Sequence, residues 1–175
     1  SGEGELARSC AGLLEKADIV YLIGQLRSAP VVDLLRYVLT MLGKRCVLLD
    51  PSGGLATHMA RTMRKGDLLL AVSFRFYATE VVNVVQEAVA RGVVIIAITD
   101  STLSPLARGA EVLFPVPEHA YTFSRSLAAP MCLAQALTVA LDVLSRFATS
   151  GATPEELASS QSLLTGQFPK QLETP

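Results

Sequence analysis

Apolar residues in this chain come in two rhythms. Short solid runs lie at 19–23, 46–49, 68–72, 93–98 and 112–116, and longer stripes at helical spacing separate them. Neighbouring side chains of a strand enter opposite faces of a sheet, so a run apolar at every position needs cover on both faces. The stripes predict a helix over 5–16, one over 28–42 that Gly43 stops, a weaker one ending at Arg64, and one ending at Gly92. Ser28 and Pro30 read as the cap and first-turn proline of the second helix, and Ser104 with Pro105 as the cap of a short one. A long helix is expected over 121–149, with Leu133, Leu137, Leu141 and Leu144 on one stripe and Val139, Val143 and Phe147 elsewhere on its circumference. Five strands alternating with helices specify an α/β fold, a parallel sheet covered on both sides.

The sharpest change of rhythm falls within 67–80. Asp67-Leu68-Leu69-Leu70-Ala71-Val72 gives way to Ser73-Phe74-Arg75-Phe76-Tyr77-Ala78-Thr79-Glu80, after which Val81, Val84, Val85 and Ala88 resume at helical spacing. A buried strand thus runs through a polar loop into a helix start, where free N–H groups and the positive end of the dipole favour an anion.

Composition narrows the chemistry. Half of the 175 residues are hydrophobic and 18% are charged, with 15 basic against 16 acidic residues, so the chain reads as globular and has no nucleic-acid surface of its own. Cys10, Cys46 and Cys132 sit among apolar or small neighbours and read as reduced thiols of a cytoplasmic protein. The apolar segment 128–144 contains Pro130, Gln135, Thr138 and Asp142 and reads as too polar to span a bilayer. His58 and His119 are the only histidines, neither has metal-ligand company in sequence, and no glycine-rich nucleotide loop is present. No metal, cofactor or catalytic residue is expected.

Ligands of open parallel sheets bind beyond the carboxyl ends of the strands, where the winding direction switches. In a flavodoxin-like order, 2-1-3-4-5, the switch brings the loop Gly24-Gln25-Leu26-Arg27-Ser28 against Ser73 to Thr79. Each loop offers a serine and an arginine near a helix start, and guanidinium groups donate in a fork that matches phosphate oxygens. Other roles compete: Ser28 as a helix cap, the arginines as solvated loop residues, Phe74, Phe76 and Tyr77 as core plugs, Thr79 and Glu80 as favourable first-turn residues.

Three motifs then carry a resemblance: Ala17-Asp18-Ile19-Val20-Tyr21-Leu22-Ile23-Gly24, Lys65-Gly66-Asp67, and Ala97-Ile98-Thr99-Asp100-Ser101 with Ser104-Pro105-Leu106-Ala107. Over 17–146 the chain resembles a SIS (sugar isomerase) domain, most closely the effector domain of RpiR-type bacterial transcription regulators. The resemblance implies a three-layer αβα sandwich with a five-stranded parallel sheet, so the SIS domain is expected at 17–149, between a lead-in helix read from its apolar stripe at 1–16 and a Ser-, Thr-, Gln- and Pro-rich tail at 150–175 with a weak helical turn near 154–164. It also implies a homodimer, proposed through the long helix, and a phosphosugar bound at the two loops.

By position, Ser28 matches the serine closing the first loop. Ser73 and Glu80 match the ends of the usual Ser-x-Ser-Gly-x-Thr-x-Glu loop. Leu26 and Phe76 stand where that pattern has glycines, Arg75 where it has a serine, and Ala78 where it has the threonine. A branch of RpiR-type regulators is similar in these positions, and on that resemblance Arg27 and Arg75 replace the lost hydroxyls.

The expected ligand site is Arg27, Ser28, Ser73, Arg75, Tyr77, Thr79 and Glu80, taking a phosphosugar or related small anion. DNA contact is expected only through a helix-turn-helix domain, and with one short helix ahead of the first strand an excised or stand-alone effector domain is expected. The alternatives are a phosphosugar isomerase, with Glu80, Glu111, Glu118, His58 or His119 as base, and a dimerisation module with a degenerate pocket.

Overall fold

A computed structural model describes residues 2–50, 52–117, 120–121, 124–151, 155 and 158. The parallel sheet comprises β1 (Val20–Ile23), β2 (Cys46–Leu48), β3 (Leu68–Val72), β4 (Val94–Thr99) and β5 (Val112–Pro115), in the order β2-β1-β3-β4-β5. Helices α1 (Gly2–Lys16), α2 (Ala29–Met41) and α5 (Ala128–Ser150) cover one face, and α3 (Leu55–Ala60) and α4 (Thr79–Ala90) the other.

Strand alternation divides the core. Val20, Leu22, Leu68, Leu70, Val72, Ile96 and Ile98 point into the layer of α1, α2 and α5, while Tyr21, Ile23, Leu69, Ala71, Ile95 and Ala97 point toward α3 and α4. Burying each large aliphatic side chain contributes ~1.5–3 kcal/mol, so β3, buried at every position, anchors both layers. Ala71 and Ala97 pair across β3 and β4 on the α4 side. Two small side chains there leave room for Val81, Val84, Val85 and Ala88 of α4. The edge strands are less covered: β2 is half-buried throughout, and β5 ends on an exposed Pro115.

Several local expectations change, among them the end of α3, which falls at Ala60 and not at Arg64. The long helix begins at Ala128, not at 121, because Pro130 suits a first turn, where its missing N–H is no loss. Ahead of it lies a small antiparallel hairpin, β6 (Ala120–Tyr121) with β7 (Ser124–Arg125). The short helix after Ser104 is a single 3₁₀ turn, Ala107–Gly109, and Ser104 Oγ accepts the Leu106 N–H at 3.2 Å. Ser28 lies in a 3₁₀ turn, Leu26–Ser28, with helical φ −80° and ψ −18° and no side-chain cap bond. The expected tail at 150–175, with its helical turn, lies almost wholly outside the described residues, as do Glu118 and His119.

By length and composition α5 is apolar enough to cross a membrane, which its polar residues had argued against. Its polar groups are provided for locally: Thr138 Oγ1 donates to the Gln135 carbonyl at 2.8 Å, and Arg146 pairs with Asp142 at 2.8 Å. Pro130, Ala134, Leu137 and Leu141 are buried against the domain, and Ser145 Oγ ties the helix to Glu15 of α1 at 2.8 Å. Facing outward, Cys132, Ala136, Val139, Val143 and Phe147 form an exposed stripe at spacings of three and four residues.

Candidate functional site

Gly24 ends β1 where no side chain fits. A Cβ there would lie 2.5 Å from Val32 Cγ2 and 3.2 Å from the Val72 carbonyl oxygen. The chain therefore turns tightly against the end of β3 and lays the loop before α2 beside the loop before α4. A cleft of about 190 Å³ opens between them.

Arg27, Ser28, Ser73 and Arg75 line this cleft together. Both serines are buried, and their backbone N–H groups are already used, Ser28 on the Gln25 carbonyl at 2.9 Å and Ser73 on that of Ile98 at 3.1 Å. Pro30 also lacks an N–H, so the start of α2 presents fewer free donors than an ordinary helix end.

Each guanidinium rests on an aromatic ring. Arg27 lies 5.4 Å from the Phe74 centroid and donates to the Arg125 carbonyl at 3.0 Å, which ties the cleft to the β6–β7 hairpin. Arg75, exposed, lies 5.6 Å from the Phe76 centroid. Burial, then the neighbouring Arg125 charge, pulls the Arg27 pKa down while Asp100 raises it. Arginine keeps its charge in proteins, so the cleft stays cationic.

Tyr77, Thr79 and Glu80 do not line the cleft. The Tyr77 hydroxyl donates to Asp100 Oδ1 at 2.8 Å; burial, then that bond, raises its pKa, with Ser104 and Thr99 opposing. Thr79 is exposed at the first position of α4. Glu80, in the same turn, accepts from Gln25 Nε2 at 3.4 Å and so bridges the two loops.

Leu26 and Phe76 both have left-handed backbones, φ 53° and 68°, where a bulky residue is held at ~1–2 kcal/mol of strain. Both line the cleft and both point outward, 86% and 85% exposed. Phe74, by contrast, is buried, so the second loop has not collapsed over the cleft with both rings inside. Sequence reasoning missed Arg125, Gln25 and Asp100. Their signals were weak: Arg125 sat in what read as a helix, and single Gln and Asp residues in loops are common.

Elsewhere, a recess of about 530 Å³ at the opposite ends of the strands is lined by Arg45, Arg64 and Lys65 together with Asp18 and Asp67. Among the described residues no group of three or more His, Cys, Asp or Glu is placed to hold a metal ion.

The order of the sheet and the cleft beside β1 and β3 define an αβα domain with its recess at the switch point. The chain belongs to the SIS domain family, which matches residues 13–140. Among solved structures it is similar to the sugar isomerase domain of an RpiR transcription factor from Sphaerobacter thermophilus, with 26% identity, TM-score 0.76, and 93% of this chain and 86% of that chain covered. It is similar in fold to the NanR protein of Vibrio vulnificus complexed with ManNAc-6P, at 20% identity and TM-score 0.70, covering 95% of this chain and 62% of NanR. A Methanococcus jannaschii protein, whose structure inferred a 3-hexulose-6-phosphate isomerase function, matches at 17% identity and TM-score 0.60, over 89% of this chain and 84% of that one. No curated protein matches the chain.

Proposed function

We propose that this is the effector-sensing SIS domain of an RpiR-type transcriptional regulator, and that it binds a phosphosugar or related small anion between Arg27 and Arg75. One observation carries the reading: two arginines, one from each switch-point loop, line one cleft with two buried serines. Ser28 and Ser73 give neutral donors, Arg27 and Arg75 give charge-assisted ones. Tyr77, Thr79 and Glu80 complete the assigned site: Tyr77 ties the second loop to Asp100, Glu80 holds it to the first loop through Gln25, and Thr79 is exposed at the start of α4. Likeness to the RpiR domain supports the regulator class, and a neighbour complexed with ManNAc-6P supports the ligand class.

The SIS domain is assigned to 17–149, with a lead-in helix at 1–16 and a tail at 150–175. It works as a cytoplasmic homodimer through the outward stripe of α5, since a regularly spaced apolar face gains from burial against its own copy. Sedimentation at micromolar concentration is expected to give a dimer, and Val143→Glu a monomer; a wild-type monomer contradicts this arrangement. DNA contact falls to a helix-turn-helix domain and not to this fold.

Sensing is favoured over isomerisation because proton transfer between adjacent carbons needs a base beside the substrate. Neither a carboxylate nor a histidine is among the described residues lining the cleft. Glu80 is engaged with Gln25, and Asp100, whose charge acts on Arg27, with the Tyr77 hydroxyl. A thermal-shift and calorimetric screen of phosphosugars tests the reading. At least one is expected to bind the wild type and to weaken tenfold or more with Arg75→Ala. No binding by any of them, or turnover in a coupled isomerase assay that Glu80→Gln abolishes, contradicts it.

A further inference from the structure

Leu26 and Phe76 share an unusual combination. Each has a left-handed backbone, each carries a large apolar side chain almost fully into solvent, and each lines the two-arginine cleft, one from either loop. A large side chain in that backbone region is strained, and exposure means that packing within the chain does little to offset the strain. Phe76 also lies against Arg75, 5.6 Å from guanidinium carbon to ring centroid. A positive charge and an apolar surface are thereby presented side by side at the mouth of a small cleft. Ala78 and the buried Phe74 extend the apolar lining inward.

We propose that Leu26 and Phe76 are specificity-determining residues, and that the cleft selects an anion with an apolar group next to its charge, an acyl, deoxy or aromatic substituent, over a bare polyhydroxylated phosphosugar. The inference rests on the anion-binding reading of the same cleft and narrows its ligand class. An anionic head meets Arg27 and Arg75. An adjacent apolar group covers Leu26 and Phe76 and removes their surface from water. Hydroxyls in that place meet two side chains that offer no hydrogen bond and lose part of their hydration without replacement.

Calorimetry with inorganic phosphate and phenyl phosphate separates the two claims. The wild type is expected to bind phenyl phosphate at least tenfold more tightly than inorganic phosphate. Leu26→Gly and Phe76→Gly are each expected to bring that ratio toward one, while Tm rises by about 2 °C as a strained backbone passes to glycine. The rise shows that the variants are folded. Phe76→Leu, which keeps an apolar side chain, is expected to retain most of the ratio. If neither probe binds the wild type, the anion-binding reading itself fails and takes this inference with it. If both bind equally, or the ratio survives in both glycine variants, the selectivity is overturned while anion binding stands.

Discussion

At the amino ends of the strands acidic and basic side chains share one recess; at the carboxyl ends two arginines line a cleft with no carboxylate among its described lining residues. Gly66, with φ 100°, turns the chain into β3 so closely that a Cβ would lie 2.5 Å from Asp18 Oδ2, and its carbonyl accepts the Asp18 N–H at 3.0 Å. Asp67, buried, accepts the Arg64 N–H at 2.8 Å. The recess beside them mixes carboxylates with its cations. At the other end the cleft lining has Arg27 and Arg75 without a described carboxylate, and two strained apolar residues at its mouth. A glycine turn beside a recess of mixed charge is what a structural corner requires. Strained non-glycine backbone beside two arginines points to a place held for something else.

The largest expected effect comes from closing the corner that creates the cleft. Gly24→Val drives a branched side chain into Val32 and toward the Val72 carbonyl, and is expected to lower stability by about 3 kcal/mol, read as the urea midpoint. Anion binding is expected to fall with it, since both loops depend on that turn.

At the opposite end, Asp67→Ala leaves the Arg64 N–H without its carboxylate and is expected to cost about 1–3 kcal/mol. Binding of phosphate at 25 °C is expected to be unchanged in this variant as long as it is folded. Weakened binding there would show that the ends are coupled and would break the contrast.

A third probe strikes neither end. Burial pushes the Cys10 thiol in α1 from an ordinary 9.0 up to about 12, so the folded state keeps a proton that the unfolded chain releases. Stability is therefore complete below about pH 9 and falls by up to about 1.4 kcal/mol per pH unit from there toward pH 12. Cys10→Ala is expected to make the alkaline decline shallower by that slope in denaturant titrations at pH 8, 9 and 10. The smallest effect on stability belongs to Arg75→Ala, within ~0.5 kcal/mol because the side chain is exposed, although it is the change that most weakens anion binding.

The pattern of solid apolar runs carried the fold, because each of β1, β3 and β4 must be covered on both sides and only a parallel sheet between helices does that. Edges were less legible. The helix start at Ala128 and the hairpin at β6–β7 depend on a proline and on pairing between very short strands, and neither disturbs the apolar rhythm. At the site, the loops were readable from the break after Val72, and Arg27, Ser28, Ser73 and Arg75 do line one cleft. The engagement of Tyr77 with Asp100 and of Glu80 with Gln25 was not readable, since these bonds join loops whose proximity only the folded sheet creates. Nor did the sequence reveal that Leu26 and Phe76 adopt left-handed backbones while standing outside the core.

The central claim, that the carboxyl-end cleft and not the amino-end recess is the anion site, is tested most directly by soaking wild-type crystals with tungstate, a tetrahedral oxyanion, and measuring its anomalous scattering. The account predicts a peak between Arg27 and Arg75, within hydrogen-bond reach of Ser28 or Ser73, and none when Arg75→Ala crystals are treated alike. A peak confined to the recess of Arg45, Arg64 and Lys65, or no peak at the cleft in the wild type, would contradict it.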